Sequence, residues 1–593
     1  MTTLYTFKQP ATHLLLVKTP NNGYAANTGT PTKAKKCNVM KRQLSLCLVI
    51  LLCVNLYAQQ FYFNKQWDKS YGGLNGEFLR VKEYTKDGGL IIGGDSNSDI
   101  GGNKTENNWD ASFVTYDYYI IKTDINGNKE WDKRFGGLSD DGLFALDTTN
   151  DGGYILGGFT NSGMGGDKTE PSRGGYDYWV VKIDSAGNKQ WDKRFGGIKN
   201  DLLFEVKQAI DGGYILGGFS YSGISGDKTQ PNWDTTNVTP DYWVVKIDSA
   251  GNKQWDNRYG GNSGDLLRSL DLTYDGGYIL GGYSGSDTTG DKTQSNWDTT
   301  NNGGTGDYWV VKIDSVGNKQ WDKRYGTVFS DKLFSVMQTL DGNYLLGGGA
   351  DSGITGNKTV AKGGIWLIKI NNIGNIIWQK VYDGGAGFKG MNRTNDGGYL
   401  ISGEGYKNFM LPITSPDRTD DCLGSQNTWI LKLDSAGNKQ WDKTIFTIGN
   451  DYGGYAVQTN DGCYLVANSS RAGIGGYKTQ AAWDSSFDFF IVKFSMDTVT
   501  GIEEPRTKNQ EPRVQVYPNP FSSEVSILLQ AENLKEATFV ITSTIGEVIY
   551  QRKEENLADN YTKVLDLSPL PNGIYFIQIA TNGTSVVRKI VKE

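Results

Sequence analysis

The sequence Asp211-Gly-Gly-Tyr-Ile-Leu-Gly-Gly218 decides the fold, because the same unit recurs along most of the chain. Its Asp-Gly start is repeated at intervals between 55 and 66 residues, at Asp87, Asp151, Asp211, Asp275, Asp341, Asp396 and Asp461. A regular period of this length indicates a protein built from structural repeats. The fold must therefore be one that repeats a single supersecondary unit around or along an axis.

Each repeat predicts four β-strands. In the third repeat an apolar segment, 202–210, leads into the Asp211-Gly-Gly turn, and 214–220 forms the second strand. After a long connection rich in Gly, Ser, Thr and Asp, 242–247 is a nearly continuous apolar strand and 253–256 a polar outer strand. An apolar strand of this kind is covered on both faces, as in sheets that stack on sheets. Four-stranded sheets repeated radially form a β-propeller.

The two ends of the repeat array predict that the propeller closes on itself. The array begins with Lys65-Gln-Trp-Asp68, an outer strand with no preceding three, and finishes with 489–494, a third strand with no fourth. Pairing these two strands completes the last blade and leaves no unpaired edge at the seam. We therefore predict an all-β fold with a seven-bladed β-propeller over residues 59–498.

The N-terminal region has the features of a secretory signal peptide at residues 40–58. The basic sequence Met40-Lys-Arg42 precedes an apolar run, 44–56, and a small residue, Ala58, precedes the predicted cut. The apolar run is too short to span a membrane. The pattern predicts that residues 1–39 are an upstream mis-start and that the mature chain is exported without a transmembrane helix.

Export changes the chemistry available to the chain. Without residues 1–58 the chain carries 53 basic and 66 acidic residues, a balance that opposes nucleic-acid or anionic-membrane partners. The single histidine, His13, is lost, which excludes Ser-His-Asp and Cys-His catalysis and His-ligated zinc. Cys422 and Cys463 are the two cysteines that remain, and one bridge between them is possible in an oxidising compartment.

The hairpin between the third and fourth strands resembles that of quinoprotein-type propeller repeats, on the residues Ile183-Asp-Ser-Ala-Gly-Asn-Lys-Gln-Trp191. The resemblance covers this hairpin only, so it implies architecture and no cofactor site. The sialidase Asp-box occupies the same hairpin, but here Asp184, Gly187 and Trp191 lie one residue further apart on each side. The sequence also shows no arginine triad.

After a predicted linker at 499–512, short strands separated by turns predict a small Ig-like antiparallel β-sandwich at 513–593. Four motifs in this region resemble the C-terminal type A sorting domain of the type IX secretion system: Val516-Tyr-Pro-Asn-Pro-Phe521, Ile545-Gly-Glu547, Leu570-Pro-Asn-Gly-Ile-Tyr575 and Arg588-Lys-Ile-Val-Lys592. The residues that we assign to the signal are Tyr517, Pro518, Asn519, Pro520, Gly546, Gly573, Tyr575, Lys589 and Lys592.

The sorting resemblance implies a cellular address. It implies export through the inner membrane, passage across the outer membrane by the type IX machinery, and usually removal of the domain. The cargo would then be anchored at the outer-membrane surface or released.

In the predicted strand order, the connections between the second and third strands and between successive blades lie on one face, which we call the top face. Binding is usually carried by long loops on a rigid scaffold, and these are the long loops of the chain. An acidic residue begins the inner strand in six blades: Glu77, Asp141, Asp201, Asp265, Asp331 and Asp451. This ring could hold a cation, but its repetition favours carboxylates that accept hydrogen bonds from their own loops.

Two further features repeat on the top face. Gly-Asp-Lys-Thr loops at Asp167, Asp227 and Asp291 make calcium possible, but each offers one obvious carboxylate beside a lysine, so we favour packing between blades and predict no cofactor. The second feature is a tryptophan in four of the loops: Trp109, Trp233, Trp297 and Trp483. Tryptophan among Asp, Asn and Thr suits stacking on a sugar ring, and the alternative is that each indole staples its own loop.

Blade six departs from the repeat. Ala386 replaces the acidic residue, and Lys389 stands where other blades have phenylalanine, a position that Arg80 and Arg268 occupy in blades one and four. Departures from a repeat are candidates for specificity, although they could equally be drift.

We predict an exported, non-catalytic surface binding protein that recognises a glycan or protein ligand through the top face. The alternative is a carboxylate-based enzyme, a glycosidase or lyase, although no pair of carboxylates is singled out as catalytic.

Overall fold

The computed structural model describes residues 60–593 except 298–305, 385, 407–414, 416, 421, 423, 500–512, 531–533, 544–546 and 582–583. The predicted mis-start, the signal peptide, nearly all of the linker and Gly546 lie outside these residues. The chain divides into two compact units, Met1–Val499 and Thr500–Glu593. Within the described ranges, no helix is long and apolar enough to cross a membrane.

The first unit consists of seven four-stranded antiparallel sheets, the blades. The inner strands are β2 (Glu77–Tyr84), β6 (Asp141–Thr148), β10 (Asp201–Gln208), β14 (Asp265–Leu272), β18 (Lys332–Gln338), β22 (Ala386–Arg393) and β26 (Asp451–Gln458). The second strands are β3 (Leu90–Ser96), β7 (Tyr154–Thr160), β11 (Tyr214–Ser220), β15 (Tyr278–Ser284), β19 (Tyr344–Ala350), β23 (Tyr399–Tyr406) and β27 (Tyr464–Ser470).

The outer half of each blade is a second pair of strands. The third strands are β4 (Asp117–Thr123), β8 (Asp177–Ile183), β12 (Asp241–Ile247), β16 (Asp307–Ile313), β20 (Gly364–Ile370), β24 (Gln426–Leu433) and β28 (Asp488–Val499). The outer strands are β5 (Lys129–Phe135), β9 (Lys189–Phe195), β13 (Lys253–Tyr259), β17 (Lys319–Tyr325), β21 (Ile376–Tyr382), β25 (Lys439–Ile445) and β1 (Gln60–Tyr71).

The ring closes as the sequence predicts. Strand β1 pairs antiparallel with β28 and places Trp67 opposite Lys493, so the first strand of the chain is the outer strand of the seventh blade. The seven-bladed propeller is therefore confirmed, with six sheets running in sequence order from the channel outward and the seventh completed by β1.

Burial between blades explains the apolar third strand. All seven residues of β12 are buried, including Lys246, whose ammonium lies 2.7 Å from Asp211 in the Asp-Gly-Gly turn. This ion pair accounts for the aspartate that begins each repeat. It recurs as Lys122 with Asp87, Lys182 with Asp151, Lys246 with Asp211, Lys312 with Asp275, Lys369 with Asp341, Lys432 with Asp396 and Lys493 with Asp461.

The glycines of the repeat allow backbones to approach closely. A Cβ on Gly218 would lie 2.0 Å from the carbonyl oxygen of Leu202 on the inner strand, where no side chain fits. Gly212 in the tight turn has a φ of +82°, the left-handed region that favours glycine. The motif therefore encodes both the turn and the contact between the first two strands.

The second unit is a β-sandwich, as predicted. One sheet contains β29 (Arg513–Tyr517), β30 (Glu524–Gln530) and β33 (Asn560–Asp566) in that order. The other contains β32 (Val548–Glu555), β31 (Glu536–Ser543), β34 (Gly573–Thr581) and β35 (Thr584–Lys592). Its core includes Val525, Ile527, Phe539, Ile541, Ile577, Ile579 and Ile590.

Candidate binding site at the central channel

A ring of bulged residues lines the channel. In β2 the register against β3 shifts between Leu79 and Val81, which leaves Arg80 as an extra residue in the inner strand. The same shift in the other blades leaves Phe144, Phe204, Arg268, Phe334 and Lys389, and Gly453-Gly454 in the seventh. The six side chains from Arg80 to Lys389, which we call the bulge ring, line a cavity of about 460 Å³. Bulges beside functional sites commonly redirect side chains in this way.

Two of the three cations in the bulge ring have a counter-ion. Arg80 Nε lies 2.9 Å from Asp95 Oδ2, and Lys389 Nζ lies 2.8 Å from Glu404 Oε1. Asp95 and Glu404 are both buried on the second strand of the same blade as their partner. These two positions are therefore neutral pairs.

Arg268 lies in a different environment. Its Nη2 donates to the hydroxyl of Tyr283 at 3.0 Å, and its guanidinium carbon lies 4.4 Å from the centre of the Phe204 ring. Its Nε is buried and makes no hydrogen bond within the described ranges. Among the residues that the structure describes, no carboxylate forms an ion pair with Arg268.

A second cavity, which we call the mouth cavity, has a volume of about 430 Å³ and lies toward the top face between blades one, two and seven. Its aromatic lining is Phe78, Tyr116, Phe144, Phe159, Tyr176 and Tyr452. The ion pair of Arg80 with Asp95 and the carboxylate of Asp140 supply polar groups. This size and lining are typical of small-molecule sites.

Sequence reasoning missed most of the mouth cavity. Tyr116 and Tyr176 each stand directly before a third strand, and Phe159 and Tyr176 pack edge to face with ring centres 4.8 Å apart. The available signal was an aromatic residue that repeats before the Asp-Tyr start of the third strand in only some blades.

The lower channel holds a lysine among carboxylates. Lys207 Nζ lies 3.6 Å from Glu205 Oε1, and Glu83, Asp147 and Asp271 act on the same ammonium. Burial raises the pKa of Glu205 to about 7 and also raises the pKa values of Asp147 and Asp271. Burial alone would lower the pKa of Lys207, but the surrounding carboxylates raise it above its ordinary value. The lower channel therefore holds a buried cluster of carboxyl groups around one ammonium.

The acidic ring at the inner-strand starts is buried rather than open to the channel. Asp201 Oδ2 accepts hydrogen bonds from the Gly197 amide at 2.7 Å and from the Ser222 hydroxyl at 3.0 Å. Burial raises the pKa of Asp201 to about 6 and that of Glu77 to about 8. These contacts fit the structural role considered in the sequence analysis, in which each carboxylate accepts hydrogen bonds from its own loop. Over the described residues, no group of three or more His, Cys, Asp or Glu side chains is placed to hold a metal ion.

The Gly-Asp-Lys-Thr loops join neighbouring blades. Asp227 Oδ2 accepts hydrogen bonds from Arg194 at 2.9 Å and from the Gly196 amide at 3.1 Å, both in the preceding blade. The buried ammonium of Lys228 donates to the Ser222 carbonyl at 2.8 Å. With the Arg173 guanidinium at 2.7 Å, the carboxylate that we considered for calcium thus already has three donors from the protein.

The loop tryptophans do not staple their own loops, so that part of the sequence interpretation is corrected. Trp233 Nε1 donates to Asp291 Oδ2 of the next blade at 3.0 Å, and the Arg258 guanidinium lies 4.5 Å from the indole centre. In blade two, Arg173 donates to Asp227 at 2.7 Å and occupies the equivalent place. An arginine can therefore replace the tryptophan, which indicates that the position joins blades.

The other loop tryptophans follow the same geometry. Trp109 donates to Asp167 and Trp297 to Asn357, while Trp483 packs against Gly102 of the first blade. The four indoles, Trp109, Trp233, Trp297 and Trp483, remain 40–49% exposed. They lie on the top face, outside the residues that line either cavity.

Cys422 and Cys463 are not joined by a disulfide. Cys422 is buried in blade six, whereas Cys463 lies in the turn between β26 and β27. The bridge that export made possible is absent.

The sorting motifs tie the first loop of the sandwich to its last strand. Asn519 donates to the Lys589 carbonyl at 2.9 Å and accepts from the Val591 amide at 2.8 Å. Lys592 is buried and donates to the Leu570 carbonyl at 2.6 Å, and Tyr575 donates to the Pro571 carbonyl at 2.8 Å. Gly573 begins β34, and the exposed signal residues are Tyr517, Pro518, Asn519, Pro520 and Lys589.

Comparison with known proteins identifies the second unit more specifically than the first. The regulatory protein FlaEY of Caulobacter vibrioides is 29% identical over 140 residues, and the match spans 22% of this chain and 14% of that protein's length. Two of the solved structures to which the chain is similar are a fungal alcohol oxidase of the AA5 family in complex with copper and a protein of unknown function from Dyadobacter fermentans.

The oxidase is 11% identical with a TM-score of 0.36, covering 90% of this chain and 100% of its own. The Dyadobacter protein is 10% identical with a TM-score of 0.34, covering 73% and 99%. Likeness at this level says nothing about ligand or activity. A family model described as "Secretion system C-terminal sorting domain" matches residues 515–593. The C-terminal unit of this chain is therefore a sorting domain of a secretion system.

Proposed function

We propose that this protein is an exported, non-catalytic binding protein that holds a glycan in the mouth cavity. The sorting domain supports export. We further propose that the type IX machinery carries the chain across the outer membrane, to be anchored at the surface or released.

The lining of the mouth cavity is the observation that carries the glycan proposal. Its rings present flat apolar faces, and Phe144 and Phe159 hold one another with centres 5.5 Å apart. Sugar rings stack on such faces with their C–H edges, while fixed polar groups take the hydroxyls. Asp95 and Arg80 are fixed by their own ion pair, so they are preorganised to orient a hydroxylated ligand.

The loop tryptophans support a different role. Because each of Trp109, Trp233 and Trp297 uses its N–H on the next blade, its hydrogen-bonding group is not available to a sugar. We therefore place the glycan in the mouth cavity rather than on the tryptophan rim.

A glycan array tests the proposal with residues 59–593, in the presence and absence of calcium. We expect binding to a defined set of glycans that is lost in Tyr116→Ala and Tyr176→Ala, because both rings line the mouth cavity. Trp233→Ala is the matched control and should keep binding. A blank array from a folded protein would remove the glycan proposal, and loss only in Trp233→Ala would return the site to the rim. Binding of a secreted protein partner instead would favour the protein-ligand alternative.

Export is tested separately in cells of the source organism. Removal of residues 513–593 should leave the chain inside the outer membrane, whereas the complete chain should reach the surface or the medium. Fractionation and surface protease treatment report the difference, and surface delivery of the truncated chain would contradict the type IX proposal.

A further inference from the structure

Arg80, Lys389 and Arg268 occupy the same bulge position in three blades, but their surroundings differ at one residue. The second-strand residue 15 positions after Arg80 is Asp95, and the residue at the same spacing from Lys389 is Glu404. At the same spacing from Arg268 stands Tyr283. Blade four thus keeps the cation and lacks the carboxylate that neutralises it elsewhere.

Tyr283 cannot replace that carboxylate electrostatically. A phenol is neutral at ordinary pH, and here its oxygen accepts one hydrogen bond from Nη2 at 3.0 Å. The remaining guanidinium donors include the buried Nε, which makes no hydrogen bond in the described part of the chain. The guanidinium therefore carries a positive charge at the cavity wall that no ion pair among the described residues balances, and an anion that reaches it gains a charge-assisted hydrogen bond.

Aromatic rings hold the Arg268 guanidinium in place. Its carbon lies 4.4 Å from the centre of the Phe204 ring, 5.5 Å from that of Tyr283 and 5.7 Å from that of Phe219. A planar guanidinium fixed between rings presents its fork of N–H groups in one direction, which suits two-point recognition of a carboxylate.

The location connects Arg268 to the mouth cavity. Phe144 lines both cavities, its ring centre lies 5.1 Å from that of Phe204, and Phe204 contacts Arg268. The two cavities therefore share the wall formed by Phe144 and Arg80, and Arg268 lies one ring beyond it. Below, the carboxylates around Lys207 repel an anion that would pass deeper.

We propose that Arg268 anchors a carboxylate of the bound glycan, so that the ligand is an acidic sugar chain of the uronate class. This inference rests on the proposed glycan function and names its substrate class. The carboxylate takes the place that Asp95 and Glu404 occupy beside the other two cations.

The test measures binding of uronate trisaccharides from pectin and alginate, each as the free acid and as the methyl ester, by titration calorimetry with residues 59–593. We expect the acid to bind at least about tenfold more tightly than the ester, as a hydrogen-bonded charge pair allows. Arg268→Gln should remove this preference by lowering the affinity for the acid to about that for the ester.

A second pair of variants keeps the test independent of the folding of Arg268→Gln. Tyr283→Asp supplies the missing carboxylate and copies blade one, so it should abolish the preference for the acid. Tyr283→Phe keeps the ring without a charge and should retain the preference. Thermal unfolding of each variant shows whether the propeller is intact.

Three results would overturn the inference. Equal affinity of the wild-type chain for acid and ester would remove the role of Arg268 and leave the glycan proposal standing. No binding to any glycan would remove both. Binding of a polyglutamate peptide at Arg268 in preference to every uronate would assign the site to a protein ligand.

Discussion

The seams between blades and the wall of the central channel differ in how strictly they repeat. At six of the seven seams, the residue before Lys-Thr in the top-face loop donates its backbone amide to the carbonyl that follows the outer strand of the preceding blade: Asn103 to Gly72, Asp167 to Gly136, Asp227 to Gly196, Asp291 to Gly260, Asn357 to Gly326 and Tyr477 to Phe446. At the channel wall, the bulge position is arginine, phenylalanine or lysine depending on the blade. Every blade must make the same contact with its neighbour, whereas the channel is one shared space that the six side chains of the bulge ring shape together. In this molecule repetition therefore marks the contacts that every blade needs, and variation marks the positions that we propose for recognition.

The largest effect is expected where the repeat brings two backbones together. Gly218→Ala places a methyl group 2.0 Å from the Leu202 carbonyl oxygen and should lower the free energy of unfolding by about 3 kcal/mol. Gly212→Ala is the matched control, because its new Cβ would meet nothing within 4 Å. Its only cost is the strain of an alanine at a φ of +82°, which should lower the free energy of unfolding by about 1 to 2 kcal/mol. Denaturant unfolding of both variants measures the difference, and equal losses would contradict the close-contact explanation.

The pH dependence of stability tests the buried acids at the seams. Burial raises the pKa of Glu77, Asp117 and Asp241 to about 8 and that of Asp177 to about 7. The folded state therefore binds these protons more tightly than the unfolded chain, and this contribution is complete below about pH 4 and is lost as the pH rises from there to about 8. We expect a higher Tm at about pH 5 than at pH 8, by several degrees.

Two other sets of groups limit the pH range over which the buried acids dominate the change in stability. The turn carboxylates with lowered pKa values, such as Asp87 at about 2, lose their contribution only in stronger acid. Lys228, whose pKa burial lowers to about 8, increases stability only as the pH rises above that value. Calorimetry at constant ionic strength reports the trend, and a Tm that falls steadily from pH 8 to about pH 5 would contradict the buried-acid explanation.

A smaller effect is expected for the loop tryptophans. Trp233→Ala removes the hydrogen bond to Asp291 and the stacking of Arg258, which should cost about 2 kcal/mol. Trp233→Arg copies Arg173 of blade two and should recover part of the loss. If Trp233→Arg is no more stable than Trp233→Ala, the position does more than join blades.

The smallest effect is expected from exposing a second cation in the channel. Asp95→Asn removes the counter-ion of Arg80 but keeps an oxygen that can accept one of its hydrogen bonds. Uronate affinity should rise a few-fold, less than the change caused by Arg268→Gln. The same titrations measure it, and a weaker affinity would show that the hydrogen bonds of Asp95 to the ligand hydroxyls outweigh the gain from the released Arg80.

Most of the fold could be predicted from the sequence, because its signals are local or periodic. The Asp211-Gly-Gly turn, the apolar strand at 242–247 and the incomplete ends of the array each identify a strand or a turn without knowledge of contacts. The strands of the β-sandwich could be predicted in the same way, because turn residues separate them in the sequence.

The site was harder to predict because it depends on register. The bulge that turns Arg268 toward the channel leaves no mark in the hydrophobic pattern. The contrast between Asp95 and Tyr283 appears only when each cation is paired with the residue 15 positions later. The direction of Trp233 toward the next blade was hidden for the same reason, since its partner Asp291 lies 58 residues away.

The closing strand β1 also determines when the propeller can finish folding. Thr479 donates to Asp68 across 411 residues of sequence, so the last blade lacks its outer strand until both ends of the propeller are present. Contacts this distant form late, because the chain must first bring its ends together. A chain that emerges from its N-terminus first therefore makes β1 long before its partner β28 exists. Closure of the ring is thus the last step in the folding of the propeller.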